Sequence, residues 1–135
     1  MSESKICQGS EGTSSFPEDW PSCCPPPDAI DAQGTFFRVV RKRPCVADDF
    51  RSQAELGKFK GANQCLRHGL SVLCCIEAAR NTCAKYPHLG KLISIASLAP
   101  EHGKVSCKNA NGHATWWSYR DIVRHQLFSV IGDAP

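Results

Sequence analysis

The feature that most constrains the fold is a repeated change of hydrophobic spacing between residues 35 and 131. From Thr35 to Arg41, aromatic and β-branched residues follow one another until Pro44, which predicts a strand. Within residues 75–86, apolar side chains recur every three or four positions instead, which predicts a helix that ends before Pro87. A chain that changes between these two periods is predicted to be an α+β domain.

Other segments complete this order. Residues 69–73, 91–98, 105–108 and 128–131 are predicted strands, and residues 46–57 and 119–127 are predicted helices. We therefore expect a small mixed or antiparallel sheet of four or five strands with about three helices. The predicted core consists of Phe37, Val39, Leu70, Val72, Ile76, Ala79, Ile93, Ile95 and Ile122.

Residues 1–33 differ from the rest in composition. Serine, glutamate, glycine and proline dominate this segment, and Pro25-Pro26-Pro27 favours an extended backbone. Because little apolar surface is available to offset the entropy of ordering it, a disordered tail is predicted over 1–33, followed by one domain over 34–135. Phe16 and Trp20 are exceptions, which either dock on the domain or contact a partner.

Composition excludes several classes. With 41% hydrophobic and 21% charged residues the chain is globular, and no apolar run approaches the roughly 20 residues of a membrane span. A net charge of +3 does not indicate nucleic-acid binding. The first residues lack a basic and apolar secretion signal, which predicts a cytoplasmic protein. Neither a phosphate-binding glycine loop nor a Gly-x-Ser-x-Gly motif occurs.

Nine cysteines are a high and odd number for 135 residues. Without a secretion signal, we expect them to be mainly reduced, with no multi-disulfide framework. No Cys-x-x-Cys knuckle occurs, so zinc is not predicted. Scattered spacings such as Cys65-x-x-His68 leave a converging site open, but the simpler interpretation is that Cys74, Cys75 and Cys83 are small buried hydrophobes.

Three polar residues in or beside predicted strands are candidates for ligand contact. Arg38 shares a strand face with Phe36 and Val40, so its guanidinium either binds an anion or reaches solvent from a half-covered face. Ser71 lies inside an apolar strand and needs a partner, either a ligand or a backbone carbonyl. His68 ends a basic loop, where a histidine is functional or merely solvated.

His113, Trp116 and Trp117 form the densest unusual cluster. They follow the turn signal Asn111-Gly112 and precede the predicted last helix, which places them at an exposed rim. An indole can stack on a base or nicotinamide, and an imidazole can exchange a proton near neutral pH. Core packing explains one of the two tryptophans, but not both together with the histidine.

Several short motifs are spread over residues 35–130. They are Phe37-Arg38-Val39-Val40, Asp49-Phe50, Leu56-Gly57, Gly69-Leu70-Ser71-Val72, Glu77-Ala78-Ala79, Leu89-Gly90 and Gly112-His113-x-Thr115-x-Trp117. Together they resemble a family of small bacterial proteins without an established activity, with a layout similar to the small ADP-ribosyltransferase-like fold. The resemblance implies that Arg38 and Ser71 hold NAD. The glutamate of that fold has no counterpart, because Glu101 stands in a Pro-Glu-His-Gly segment.

Two classes of function remain open at this point. The first is a transferase that acts on NAD or a related nucleotide, with Arg38 on an anionic group, His113, Ser71 and His68 at the reacting centre, and Trp116 or Trp117 against the ring. The second is a non-catalytic accessory or immunity-type module whose exposed tryptophans anchor a protein partner. One shared cleft favours the first class, and a dispersed set favours the second.

Overall fold

A computed structural model of the protein describes residues 15–58, 60–61, 63–107 and 112–131. In these residues the fold is α+β, with seven strands in one antiparallel sheet and two α-helices. The strands are β1 (Ile30–Asp31), β2 (Gly34–Val40), β3 (Leu70–Leu73), β4 (Leu92–Leu98), β5 (Gly103–Ser106), β6 (His113–Ser118) and β7 (Ser129–Val130), and the helices are α1 (Gln64–His68) and α2 (Ile76–Lys85). The predicted fold class is confirmed, with more strands and fewer helices than expected.

The strand order is β1-β5-β6-β3-β2-β4-β7. Strand β2 pairs with β4 along its whole length, from Gly34 opposite Leu98 to Val40 opposite Leu92. On its other side, β2 pairs with β3 only where Phe37 lies opposite Leu73. The two strands therefore separate beyond this pair, and the sheet is open at its centre.

Alternation along the strands places the core on both faces of the sheet. One face carries the larger cluster, which includes Phe36, Leu70, Val72, Ala96, Leu98, Val105, Ala114, Trp116 and Val130, together with Phe50 and Phe128 from outside the strands. The other face packs Val39 and Leu73 against Ala78 and Ala79 of α2. Of the predicted core, Val39, Leu70, Val72 and Ala79 are buried, whereas the five other residues are only partly buried.

Two predicted helices are wrong. Residues 46–57 form a short 3-10 helix (Ala47–Phe50) followed by turns, because the buried Asp49 carboxylate accepts the backbone N–H groups of Arg41 and Lys42 rather than facing solvent. Residues 119–127 form a turn and the 3-10 helix Arg124–Leu127. Neither segment carries an apolar stripe long enough to bury a full helix against the sheet.

Residues 15–33 lie against the domain rather than extending as a free tail. Phe16 stacks on Trp20 and packs against Tyr119, with ring centroids 5.4 Å and 4.7 Å apart. A disulfide joins Cys24 to Cys65 of α1. The alternative that the aromatic residues dock on the domain thus describes this segment, whereas residues 1–14 of the predicted tail lie outside the described residues.

The expectation for the cysteines holds only in part, because Cys23 is disulfide-bonded in addition to the Cys24–Cys65 bridge. The bridge is not local, since Cys24 pairs with a residue 41 positions away. Cys74 and Cys75 are thiols, but they are exposed rather than buried. Disulfides are commoner in oxidising compartments than in the cytosol, and the cytoplasmic location stays a prediction. None of the described helices is long and apolar enough to cross a bilayer.

Candidate functional site

A cleft opens on the sheet face that also carries α1 and α2, at the point where β2 and β3 separate. It has two lobes that meet at Arg38, Ser71 and His113. The lobe toward α2 has a volume of about 450 Å³ and is closed by Leu73, Thr82, Tyr86 and His88. The lobe toward α1 has a volume of about 490 Å³ and is closed by Leu66, Gly69, Leu70 and Thr115.

A serine and a histidine form the polar floor of the cleft. Ser71 and Thr115 lie opposite one another on β3 and β6, and His113 starts β6 on the same face. His113 Nε2 lies 3.0 Å from Ser71 Oγ. When the ring proton is on Nδ1, the serine hydroxyl donates to Nε2. Burial lowers the pKa of His113, so the imidazole is neutral at pH 7 and can accept a proton.

Arg38 lies where β2 and β3 separate. Its side chain donates hydrogen bonds at a point where the backbones of these two strands are too far apart to pair. Its Nη1 donates to the Ser71 carbonyl at 2.7 Å, and its Nε donates to the Asp49 carbonyl at 2.8 Å. The guanidinium also lies over the Phe50 ring, 5.5 Å from its centroid. Burial lowers the pKa of Arg38 to about 10, although the Asp49 carboxylate opposes this effect. The guanidinium therefore remains charged at neutral pH.

Neither of the two alternatives predicted for Arg38, an anion partner or contact with solvent, includes these hydrogen bonds to backbone carbonyls. Two of its nitrogens satisfy backbone carbonyls that would otherwise lack donors, which is a structural role. The third guanidinium nitrogen, Nη2, makes no hydrogen bond within the part of the chain that the structure describes. Arg38 thus supports the floor of the cleft and also contributes positive charge to it.

Further cations surround the mouth of the cleft. Arg41 pairs with Asp49 at 3.2 Å, and Arg51 pairs with Asp48 at 2.9 Å. Lys58 lines both lobes, and its ammonium group is in none of the ion pairs found among the described residues. Because more cations than carboxylates line the cleft, its electrostatic potential favours an anionic ligand.

The remaining predicted site residues lie elsewhere. The ring of His68 packs against Trp20, with centroids 5.6 Å apart, and lines a separate small cavity of about 120 Å³. Trp116 and Trp117 are 1% and 0% exposed. Their indole N–H groups donate to the carbonyls of His102 and Cys65, at 3.1 Å and 3.0 Å.

The prediction that these tryptophans stand at an exposed rim is therefore wrong. Residues 113–118 form the strand β6, which was not predicted, although its aromatic residues are common in strands. Neighbouring elements cover both faces of this segment at its C-terminal end. Gly69 permits the close approach of α1, since a Cβ there would overlap the side chain of Thr115.

Sequence reasoning missed several residues of the cleft. Tyr86 falls within the helix predicted over residues 75–86, but it directly follows α2 with 44% of its surface exposed and lines the cleft. Leu56 and Leu89 are exposed on the rim of the cleft, where they add apolar surface beside the cations. The basic side chains of Arg51 and Lys58 were a usable sequence signal for the positive mouth of the cleft, whereas nothing in the sequence indicated where the Tyr86 ring points.

Neither lobe is lined by a glutamate among the described residues. The same part of the chain contains no group of three or more His, Cys, Asp or Glu side chains that could hold a metal ion. Comparison with protein-family models, with curated proteins and with solved structures found no match to this chain.

Proposed function

We propose that the cleft binds a nucleotide in which an anionic linker joins two ring systems, and that this nucleotide is NAD. We further propose that the protein is a transferase that acts on NAD. The observation that carries this proposal is the placement of the Ser71–His113 pair between two lobes of similar volume. A ligand with two flat ends and a charged centre fills such a site, because each lobe takes one end.

The two lobes differ in the groups that would hold a ring. The lobe toward α2 offers the exposed face of Tyr86, and an aromatic ring at that position provides a stacking surface. The lobe toward α1 offers Leu66, which gives apolar contact without stacking. We assign the ring that binds more tightly to the Tyr86 lobe.

The charged centre of the ligand would lie against the cations that the two lobes share. Arg51 and Lys58 line both lobes, and both side chains are largely exposed and able to move toward a ligand. Arg38 adds charge from below without giving up its carbonyl bonds. Contacts of ionised donors with phosphate oxygens are among the strong hydrogen bonds of proteins.

The group transfer assigned to the site needs a proton acceptor. In such a transfer, the bond between the ribose and nicotinamide breaks with its electron pair leaving on nicotinamide, and an acceptor hydroxyl forms the new bond. The proton of that hydroxyl passes to neutral His113, whose lowered pKa supports this role. In this step the ring proton of His113 is on Nε2, which donates to Ser71 Oγ at 3.0 Å and so orients the imidazole, and Nδ1 accepts the proton of the acceptor hydroxyl.

Calorimetric titration with NAD, ADP-ribose and inorganic pyrophosphate tests the binding step. We expect NAD and ADP-ribose to bind, and pyrophosphate to bind more weakly because it fills neither lobe. Lys58→Ala should weaken nucleotide binding by about tenfold or more. The matched control is Lys104→Ala, which removes the same charge from β5, outside the cleft, where Lys104 pairs with Asp31 of the edge strand β1.

Release of nicotinamide from NAD tests the transfer step separately. His113→Ala should lower the release rate far more than it lowers the affinity for NAD, since the imidazole acts on the reacting proton. Tight nucleotide binding without any release would retain the binding site and reject the transferase. Equal effects of Lys58→Ala and Lys104→Ala, or no nucleotide binding by the wild type, would reject the whole proposal.

The protein-binding alternative has lost its original basis, because Trp116 and Trp117 are buried. The exposed apolar side chains around the cleft now favour it instead, namely Leu56, Leu66, Tyr86 and Leu89. If the titrations show no nucleotide binding, this rim is the surface on which a protein partner should be mapped.

A further inference from the structure

We propose that Cys74 and Cys107 are a reversible dithiol site, which a low-molecular-weight disulfide such as glutathione disulfide converts into a protein disulfide. Their sulfur atoms lie 3.8 Å apart, and both residues are exposed. A disulfide bond is about 2.0 Å long, so an approach of about 1.8 Å would close it. This site is independent of the nucleotide proposed for the cleft.

Sheet topology explains why two cysteines that are 33 positions apart lie side by side. Cys107 directly follows β5 and Cys74 directly follows β3, and both strands run antiparallel to β6 between them. β3 and β5 therefore finish at the same end of the sheet, on either side of the first residue of β6. The backbone N–H of Cys74 donates to the Gly112 carbonyl at 2.7 Å, which holds the end of β3 against this corner.

The pairing is selective among nearby thiols. Cys75 is adjacent and exposed, but within the described residues its sulfur makes no contact with that of Cys107. Cys83 is half-buried against the face of the sheet that α2 covers. The chain already contains the Cys24–Cys65 bridge, so the protein is compatible with conditions under which disulfides persist.

The reaction consists of two thiol–disulfide exchanges. Partial desolvation and the neighbouring Cys107 thiol raise the pKa of Cys74 to about 11, so Cys74 carries little thiolate at neutral pH. The Cys107 sulfur first attacks glutathione disulfide, whose S–S bond breaks and releases one glutathione. The Cys74 sulfur then attacks the Cys107 sulfur of the mixed disulfide and releases the second. Two electrons pass to glutathione, and the two thiol protons end on the two glutathione molecules.

The test is peptide mapping of the whole protein, without prior reduction, in glutathione buffers of increasing oxidised fraction. After an acid quench and alkylation of free thiols, we expect a peptide linked through Cys74 and Cys107, with the loss of two hydrogens. Cys107→Ser should abolish this linkage, and the matched control Cys75→Ser should retain it. The Cys24–Cys65 bridge in the same digest is the internal standard.

A second measurement does not depend on any variant. Closing the loop between these cysteines constrains the unfolded chain. The melting temperature of the wild type with the Cys74–Cys107 bond should therefore exceed that of the wild type with both of these thiols reduced by about 5 °C or more. Absence of the linked peptide at every glutathione ratio, or linkage through Cys75 in place of Cys74, would overturn the proposal. An unchanged melting temperature with the linkage present would show a strained bond and contradict a pair that the fold already holds in position to close.

Discussion

Strand β6 begins in the cleft and ends in the interior, and its two ends meet different physical requirements. His113 at the first position is half-buried and lies against Ser71. Trp116 and Trp117, near the other end, are among the largest fully buried side chains of the protein. Residues only three or four positions apart in β6 therefore differ in burial, from half-buried at the cleft to fully buried in the interior. Substitutions at the interior end should lower stability, and substitutions at the cleft end should alter binding.

The largest effect is expected for Trp116→Ala. The substitution creates a cavity beside Phe128, whose ring centroid is 5.9 Å away, and removes the donor of the His102 carbonyl. We expect the free energy of unfolding to fall by about 4 kcal/mol, as measured by urea denaturation. The control is Tyr86→Ala, an exposed aromatic of the cleft, which should change stability by less than about 1 kcal/mol. Similar losses in the two variants would remove the distinction between the two ends.

The next effect concerns the segment that is bound to the interior end. Trp117 donates to the carbonyl of Cys65, whose side chain is bonded to Cys24. Replacing both cysteines with serine opens a loop of 41 residues, and we expect a loss of about 3 kcal/mol in denaturant titration. Cys83→Ser, which affects a half-buried thiol outside any bridge, is the control. A loss below about 1 kcal/mol would show that the bridge stabilises the folded protein little and restricts the unfolded chain little.

The class of the fold followed from the sequence because hydrophobic period is a local property. β2, β3, α2 and β4 are found close to where their spacing predicted them. The segment 113–118 was misassigned, since a turn signal and two tryptophans are equally compatible with a rim and with a central strand. Its position between β3 and β5 is a long-range fact that no window of sequence contains.

The site was predictable in part for the same reason. Arg38 and Ser71 were identified because a polar group in an apolar strand needs a partner, and both line the cleft with His113. Which partner each has could not be inferred, because the separation of β2 from β3 decides it. Trp116 and Trp117 were assigned to the wrong environment because composition alone does not distinguish an indole that stacks on a ligand from one whose N–H is satisfied internally.

A smaller effect is expected at Arg38, which belongs to both regions. Arg38→Ala leaves the carbonyls of Ser71 and Asp49 without their donors and removes the contact with Phe50. We expect stability to fall by about 2 kcal/mol and nucleotide affinity to fall with it. Arg38→Lys retains the charge but cannot reach both carbonyls, so its stability should lie between those of the wild type and Arg38→Ala. Unchanged stability in Arg38→Ala would assign the guanidinium to the ligand alone.

The smallest effect is the pH dependence that His113 contributes, and its sign follows from the direction of the shift. Burial lowers the pKa of His113 below its ordinary value of 6.5, so the unfolded chain takes up the proton first as pH falls. The full stability is therefore present above pH 6.5 and is lost progressively below it, toward the pKa of the folded state. His113→Gln should remove this part of the slope, which is measured as the difference between the unfolding free energies of wild type and variant from about pH 8 to about pH 5. Taking the difference cancels the other four histidines, because both proteins share them. Parallel stability curves would mean that the imidazole is as well solvated as in the unfolded chain, and His113 would then be a poor proton acceptor at the cleft end of β6.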